Sequence, residues 1–149
     1  MNRTTLTLRL ILPALWIGFI VALAFIEAPL KFTAPGITIP LGLGIGRLVF
    51  NALAIASWLF LAGMAAVSWM QPRIHRAGWL TLGLLTIVLA VQTFVIRPLL
   101  NARSDVIIAG GDPGESWLHY GYIATDLVLL GLLVWWITAI AKRISLRPE

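Results

Sequence analysis

The stretch from Arg97 to Asp126 contains most of the side chains that could do chemistry. It holds four of the six acidic residues of the chain and one of its two histidines. Near its end, His119, Tyr122 and Asp126 are spaced i, i+3 and i+7, which places them on one face of a helix. An imidazole, a phenol and a carboxylate on one face can transfer protons or hold a polar ligand. We therefore predict that this face forms the centre of the functional site.

Further polar side chains interrupt segments that are otherwise apolar. If a helix begins near Leu41, Arg47 lies about 9 Å and Asn51 about 15 Å along its axis, on the same face. Charged groups at such depth in a membrane usually face a partner or a wet cavity. The predicted ligand-binding residues are His119, Tyr122, Asp126, Arg47, Asn51, Arg97, Glu27 and Gln92. A structural alternative is that Asp126 forms an ion pair with Arg47 or with Arg97.

The composition excludes several classes of site. The chain has no cysteine, so it has no disulfide, thiolate metal site or thiol nucleophile. A single histidine with Glu27, Tyr122 and Asp126 is a sparse set for a transition metal, and no metal site is expected. The net charge of +5 does not indicate nucleic-acid binding, because the basic residues lie between apolar segments. No motif identifies a cofactor.

The elements that position these residues are long apolar segments. Of the 149 residues 60% are hydrophobic and 11% are charged, whereas soluble domains average about 25% charged residues. Four segments have roughly the 20 residues that a membrane-spanning helix needs, namely Leu8–Ile26, Leu41–Met70, Ala77–Ile96 and Trp117–Ala141. They lack the alternating pattern of barrel strands. The sequence therefore predicts one all-α domain over residues 1–149, an up-down bundle of four transmembrane helices.

Basic residues are distributed unequally between the two sides of the predicted bundle. One side, with both termini and the middle loop, has seven of them, Arg3, Arg9, Arg73, Arg76, Lys142, Arg143 and Arg147. The other side has four, Lys31, Arg47, Arg97 and Arg103. By the positive-inside rule we expect a multi-pass protein of the cell inner membrane with both termini in the cytoplasm.

The loops on the side opposite the termini have distinct local patterns. Proline and glycine in Pro29–Pro40 predict an irregular loop. The segment Leu99–Ala109 keeps a helical pattern and predicts a kinked extension of the third helix, ended by Gly110 and its neighbouring glycine. Asp112 is the predicted N-cap of the fourth helix, and Ser116 is the competing cap.

Gly42 and Gly46 form a small-xxx-small pair at the start of the second helix. Such a pair lets another backbone approach closely. Two interpretations are open: close approach of a ligand or a second subunit, and close packing of helices within the bundle.

The last third of the chain also has a recognisable pattern: P-L-L-N-A-R, a Gly-Gly-Asp-Pro-Gly turn, and S-W-L-H-Y-G-Y. It resembles a group of small four-helix bacterial membrane proteins of unassigned activity. It is also similar to the four-helix anthrone-oxygenase-like family, whose asparagine, tryptophan and histidine would correspond to Asn101, Trp117 and His119. The basic residue that this family has shortly after the histidine is replaced here by Gly121 and Tyr122.

Two functional hypotheses follow, and both use the same end of the bundle. In the first, a polar pocket on the outer side binds a small or amphipathic ligand, or the protein is an accessory subunit of a membrane complex. Its partners would be membrane lipid, a hydrophobic small molecule or other membrane subunits, and not nucleic acid. In the second, the protein is a small oxidoreductase or oxygenase for a hydrophobic aromatic or quinone-like substrate. His119 would then be the acid or base, assisted by Asp126 or Tyr122.

Overall fold

Four long helices make up most of the chain. A computed structural model describes residues 3–71 and 73–145. The helices are α1 (Arg3–Thr33), α2 (Ile39–Trp69), α3 (Arg76–Ile108) and α4 (Leu118–Ser145), and each is long and apolar enough to cross a membrane. Within the described ranges there is no β-strand. The prediction of an all-α bundle with four spans is confirmed, although α1 and α3 extend beyond the predicted spans.

The helices form a ring in which each packs against its chain neighbours. α1 lies between α2 and α4, and α3 also contacts both α2 and α4. Consecutive helices run in opposite directions, so residues 27–40 and 97–117 meet at one end. We call this the cavity end, and the opposite end, with the start of α1 at Arg3, the loop residues 70–71 and 73–75 and the end of α4 at Ser145, the terminal end.

Apolar side chains close the middle and the terminal half of the bundle. The buried cluster consists of Trp16, Ile20, Leu53, Leu61, Met64, Leu82, Leu85, Leu89, Leu129, Leu133 and Trp136. Because lipid tails are as apolar as these residues, close packing and interhelical hydrogen bonds rather than burial hold such helices together. One such bond runs from Trp16 Nε1 to Ser57 Oγ at 2.9 Å.

Arg9 is buried at the terminal end and ties three helices together. Its guanidinium donates to the carbonyl oxygens of Val67 at 3.2 Å and Met70 at 3.0 Å, at the last turn of α2. Val67 O also accepts from the N–H of Met70 at 3.2 Å, so the guanidinium supplies an additional donor where the helix runs out of its own. The carbonyl of Arg9 accepts from Trp136 Nε1 on α4 at 3.0 Å. Arg9 therefore has a structural role at this end.

Two widened turns at the cavity end are the main departure from regular helix. α1 contains a π-helical segment at Val21–Glu27 and α3 contains one at Gln92–Ile96. Each ends two residues before a proline, Pro29 or Pro98. A proline has no N–H for the carbonyl four residues earlier, and the wider turn accommodates this defect without ending the helix.

The helix around Pro29 corrects the predicted loop. Sequence reasoning placed irregular backbone over Pro29–Pro40, but α1 continues through Pro29 and ends in a 3₁₀ turn at Lys31–Thr33. Only a short connection separates Thr33 from α2. Residues just after Pro29 consequently belong to a helix and have fixed positions in the bundle.

The predicted extension of the third helix is present. It spans Arg97–Ile108 and continues α3 directly after its π-helical segment. Gly110 adopts φ 84°, and the N–H of Gly111 donates to the carbonyl of Val106 at 2.9 Å. This is the left-handed ending that glycine permits, so the prediction that glycines end the extension is confirmed.

The start of the fourth helix differs from the prediction. α4 begins at Leu118, too far along the chain for Asp112 to cap it. Asp112 instead closes its own turn by accepting from the N–H of Gly114 at 2.8 Å. The competing residue, Ser116, accepts from the N–H of Leu118 at 3.1 Å. The Asp112 cap was wrong because its side chain satisfies a nearer amide.

Candidate functional site

A cavity of about 520 Å³ lies at the cavity end, with residues from all four helices in its wall. Its polar lining consists of Lys31, Arg47, Arg97, Asn101, Ser104, His119, Tyr122 and Asp126. Its apolar lining includes Phe25, Phe32, Leu43, Phe50, Leu100 and Ile123. This volume and this mixture of apolar walls with a few polar groups are typical of sites for small molecules.

The predicted site residues come together here in two layers. Arg47, Arg97, His119, Tyr122 and Asp126 line the cavity directly. The remaining three, Glu27, Asn51 and Gln92, do not line it, but each hydrogen-bonds to a residue that does. The sequence therefore identified both the groups that face the cavity and the groups that hold several of them.

Asp126 is held by an amide on the neighbouring helix. Its residue is 2% exposed, and its Oδ1 accepts from Gln92 Nε2 at 2.7 Å. Gln92 is also within hydrogen-bond distance of Thr125 Oγ1, at 2.9 Å, so its amide group has a fixed orientation. Gln92 is the first residue of the π-helical segment in α3. The amide fixes one carboxylate oxygen of Asp126 at the wall of the cavity.

Arg47 does not pair with Asp126, which corrects the structural alternative. Its Nη2 donates to Asp105 Oδ1 at 2.7 Å and to the carbonyl of Asn101 at 3.2 Å. Both acceptors lie on the extension of α3. The side chain extends toward the cavity end and the more polar surroundings there, as long basic side chains do in membranes. The pair attaches the extension to α2.

The partner of Arg97 among the described side chains is neutral. Its Nη2 donates to Asn51 Oδ1 on α2 at 3.0 Å. Among the described side chains the ion pairs within 4.0 Å are Lys31–Glu27 and Arg47–Asp105, and neither includes Arg97. The alternative pairing of Asp126 with Arg97 is therefore also absent from the described structure. Arg97 brings an uncompensated positive charge to the cavity wall.

Lys31, like Asn101 and Ser104, is a polar cavity residue outside the predicted ligand-binding set. Its side chain is 9% exposed and pairs with Glu27 Oε2 at 3.2 Å. Its Nζ lies 5.5 Å from the ring centre of Phe32 and 5.7 Å from that of Phe50. The i, i+4 spacing of Glu27 and Lys31 was the available signal. It was overlooked because the residues after Pro29 were predicted to be a loop.

The predicted face of α4 forms one wall of the cavity. Asp126 lies deepest along the helix, Tyr122 one turn above it, and His119 nearest the end of the bundle. Tyr122 is 6% exposed and meets the Phe50 ring edge to face, with 5.3 Å between ring centres. His119 is exposed. The face thus runs from an accessible imidazole to a buried carboxylate.

Gly42 and Gly46 are used inside the chain. Both are buried, and a Cβ added to Gly42 would overlap the ring of Phe32. A Cβ on Gly46 would lie 3.1 Å from Lys31 Nζ. The glycines thus allow the end of α1 to approach α2. Packing within the bundle accounts for both positions, and both glycines also line the cavity.

The fold and site define a class: an all-α polytopic membrane protein with an amphipathic cavity at one end of its bundle. Within the described residues, no three His, Cys, Asp or Glu side chains are grouped so that they could hold a metal ion. Comparison of the chain with family models, curated proteins and solved structures gives no match. The resemblances drawn from the last third of the sequence therefore stay predictions.

Proposed function

We propose that the protein binds an amphipathic small molecule in the cavity. The observation that carries this proposal is the two-sided lining. Charged and polar groups are contributed mainly by α3, α4 and Arg47, whereas aromatic and aliphatic groups come mainly from α1 and the start of α2. A ligand with a polar head and an apolar body matches both sides at once.

In this proposal the apolar side of the cavity faces the surrounding membrane. Phe25 and Phe32, which line that side, are 37% and 43% exposed. An apolar chain attached to a bound head group can leave between them without crossing polar protein surface. Lipid-phase entry and exit are therefore part of the proposal.

Below the cavity the bundle is packed with apolar side chains. Ile20, Leu85, Leu89 and Leu129 are each 0–1% exposed and belong to the buried cluster. This packing favours binding at one end over passage of a polar solute through the bundle. A binding or accessory role follows more directly than a transport role.

The proposal includes a location and an orientation. The excess of basic residues at the terminal end supports an inner-membrane protein with both termini in the cytoplasm. The cavity would then face the outer side. Ligands would come from the outer leaflet or from the aqueous space beside it.

Leu100 and Leu99 offer a matched pair of variants to test binding. Leu100 lines the cavity, whereas its neighbour Leu99 is 49% exposed and does not. Leu100→Trp should fill part of the cavity and Leu99→Trp should not. Native mass spectrometry of the purified proteins should show a small-molecule adduct on the wild type and on Leu99→Trp, and little on Leu100→Trp.

The same experiment contains its refutation. Equal adducts on all three proteins, with equal thermal stability, would place the bound molecule outside the cavity. If the wild type carries no adduct from native membranes, the proposal of a resident ligand fails. An adduct recovered chemically altered after incubation with the protein would instead favour the oxidoreductase alternative.

A further inference from the structure

The charges on the cavity wall leave two residues without a charged partner. Three cationic side chains line the cavity, Lys31, Arg47 and Arg97, together with one carboxylate, Asp126. Lys31 is paired with Glu27 at 3.2 Å, and Arg47 with Asp105 at 2.7 Å. Arg97 and Asp126 remain. They have opposite charges and face one cavity, yet within the described structure they form no ion pair.

Each of these two groups is hydrogen-bonded to an amide side chain. Asn51 Oδ1 accepts from Arg97 at 3.0 Å, and Gln92 Nε2 donates to Asp126 at 2.7 Å. Arg97 and Gln92 both lie on α3, five residues apart, which is roughly 7 Å along a helix axis. Each amide satisfies part of its charged neighbour and leaves other atoms available: further N–H groups of Arg97 and the second oxygen of Asp126.

We propose, building on the proposed binding function, that the ligand has a zwitterionic head group. Its anionic oxygen would bind Arg97, and an N–H donor would bind Asp126. Opposite charges in a cavity of low polarity are costly when unpaired, and a ligand that supplies both complements removes both costs. A purely anionic head would leave Asp126 uncompensated, and a purely cationic head would leave Arg97 uncompensated.

The shape of the cavity agrees with such a head group on a single chain. The polar pair lies on the α3 and α4 side, and the exposed Phe25 and Phe32 lie on the opposite, apolar side. A phosphoethanolamine head would enter from the apolar side of the cavity, with its ammonium toward Asp126 and its phosphate toward Arg97. Its acyl chain would leave between the phenylalanines into the membrane.

The test compares two lysophospholipids that differ only in the head-group nitrogen. Lysophosphatidylethanolamine has N–H donors, and lysophosphatidylcholine of the same chain length has none. Each is titrated into the purified protein in nonionic detergent, and binding is measured by native mass spectrometry. We expect wild-type protein to bind the ethanolamine lipid roughly ten- to hundred-fold more tightly, the effect of one hydrogen bond to a charged group. This comparison needs no variant and therefore no assumption about folding.

Variants then assign the two halves of the head group. Asp126→Asn keeps the side-chain shape and should reduce the preference for ethanolamine to a few-fold. Arg97→Gln should weaken both lipids by roughly ten- to hundred-fold while keeping the preference, and Arg97→Lys should restore part of the affinity. Arg103→Gln is the charge-matched control, because Arg103 bonds to the carbonyls of Pro113 and Gly114 and does not line the cavity.

The outcomes separate this inference from the proposed function. Equal affinity for both lipids, lost in Leu100→Trp, would overturn the inferred N–H contact with Asp126, since both head groups are zwitterionic, and would support binding in the cavity. A preference for ethanolamine that survives in Asp126→Asn would also overturn the inference. If neither lipid binds, the inference fails, while the adduct experiment with Leu99→Trp and Leu100→Trp still decides the proposed function.

Discussion

Removing Gln92 should expose how strongly the bundle depends on its contact with Asp126. Gln92 Nε2 lies 2.7 Å from Asp126 Oδ1, and the two residues are 5% and 2% exposed. A hydrogen bond to a charged group contributes about 1.5–3 kcal/mol. Neutral interhelical hydrogen bonds in membrane proteins average about 0.6 kcal/mol. A coupling free energy between Gln92 and Asp126 near the first value would indicate a charge-assisted bond, and one near the second would indicate a neutral bond.

A double-mutant cycle isolates that coupling. The free energies of unfolding of the wild type, Gln92→Leu, Asp126→Leu and the double variant are measured by titration with sodium dodecyl sulfate in mixed micelles. Circular dichroism follows the loss of helix. We expect Gln92→Leu to lower the free energy of unfolding, because the Asp126 carboxylate is then left buried without that donor. The double variant should recover about 1.5–3 kcal/mol relative to the sum of the single changes.

A neutral pair provides the matched control. Trp58 Nε1 and Thr93 Oγ1 join α2 and α3 at 3.3 Å without a charge. The cycle of Trp58→Phe and Thr93→Val should give about 0.6 kcal/mol or less. If the Gln92–Asp126 coupling is no larger than that of this pair, the conclusion that Gln92 holds the carboxylate by a charge-assisted bond is refuted.

Two further predictions concern Arg47 and the orientation of the bundle. Arg47→Leu and Asp126→Leu should be additive in unfolding free energy within about 0.5 kcal/mol, because Arg47 pairs with Asp105; a coupling of about 3–5 kcal/mol would restore the Arg47–Asp126 pair. Reporter fusions truncated at Arg73 should be active only as cytoplasmic reporters, and fusions at Ala109 only as periplasmic ones; a periplasmic signal at Arg73 would reverse the proposed orientation.

Composition and segment length were sufficient to predict the architecture. Four runs of about 20 apolar residues permit few structures other than a helical bundle, since unpaired backbone groups are too costly in lipid. The glycines after the extension were an equally direct local signal. Gly110 ends the extension because glycine adopts positive φ at little cost, as the sequence predicted.

Pairing between helices was harder to predict because it depends on helix rotation. The π-helical segments at Val21–Glu27 and Gln92–Ile96 add to the length of a turn, and one extra residue rotates the following side chains by about 100°. Sequence spacing with a regular period cannot place Arg97 relative to Asp126 beyond such a segment. The prolines that follow each segment were visible, but Pro29 was interpreted as the start of a loop and Pro98 as a kink.

Which carboxylate pairs with Arg47 also depended on the extension of α3, which lies outside the predicted spans. Arg47 and Asp126 lie on different helices. Both were predicted to interrupt apolar spans at the same end of the bundle, so a pair between them was a reasonable hypothesis. The extension Arg97–Ile108 brings Asp105 to a position 2.7 Å from Arg47. Because the Asp105 side chain is 64% exposed, whereas Asp126 is 2% exposed, this pair requires less desolvation than a pair with Asp126.

The most direct test of ligand binding in the cavity asks whether a molecule occupies it in the native membrane. Phe50 lines the cavity, whereas Phe94 is 68% exposed on the outside of the bundle. The photoreactive residue p-benzoylphenylalanine is introduced at one position or the other, cells are irradiated, and the purified protein is analysed by mass spectrometry.

We expect different products at the two positions. The reagent at Phe50 should capture one dominant amphipathic molecule, and the Leu100→Trp background should reduce its yield. The reagent at Phe94 should capture bulk phospholipids in their membrane proportions. The same bulk mixture at both positions, or only protein crosslinks at Phe50, would contradict the claim that the cavity is a ligand-binding site.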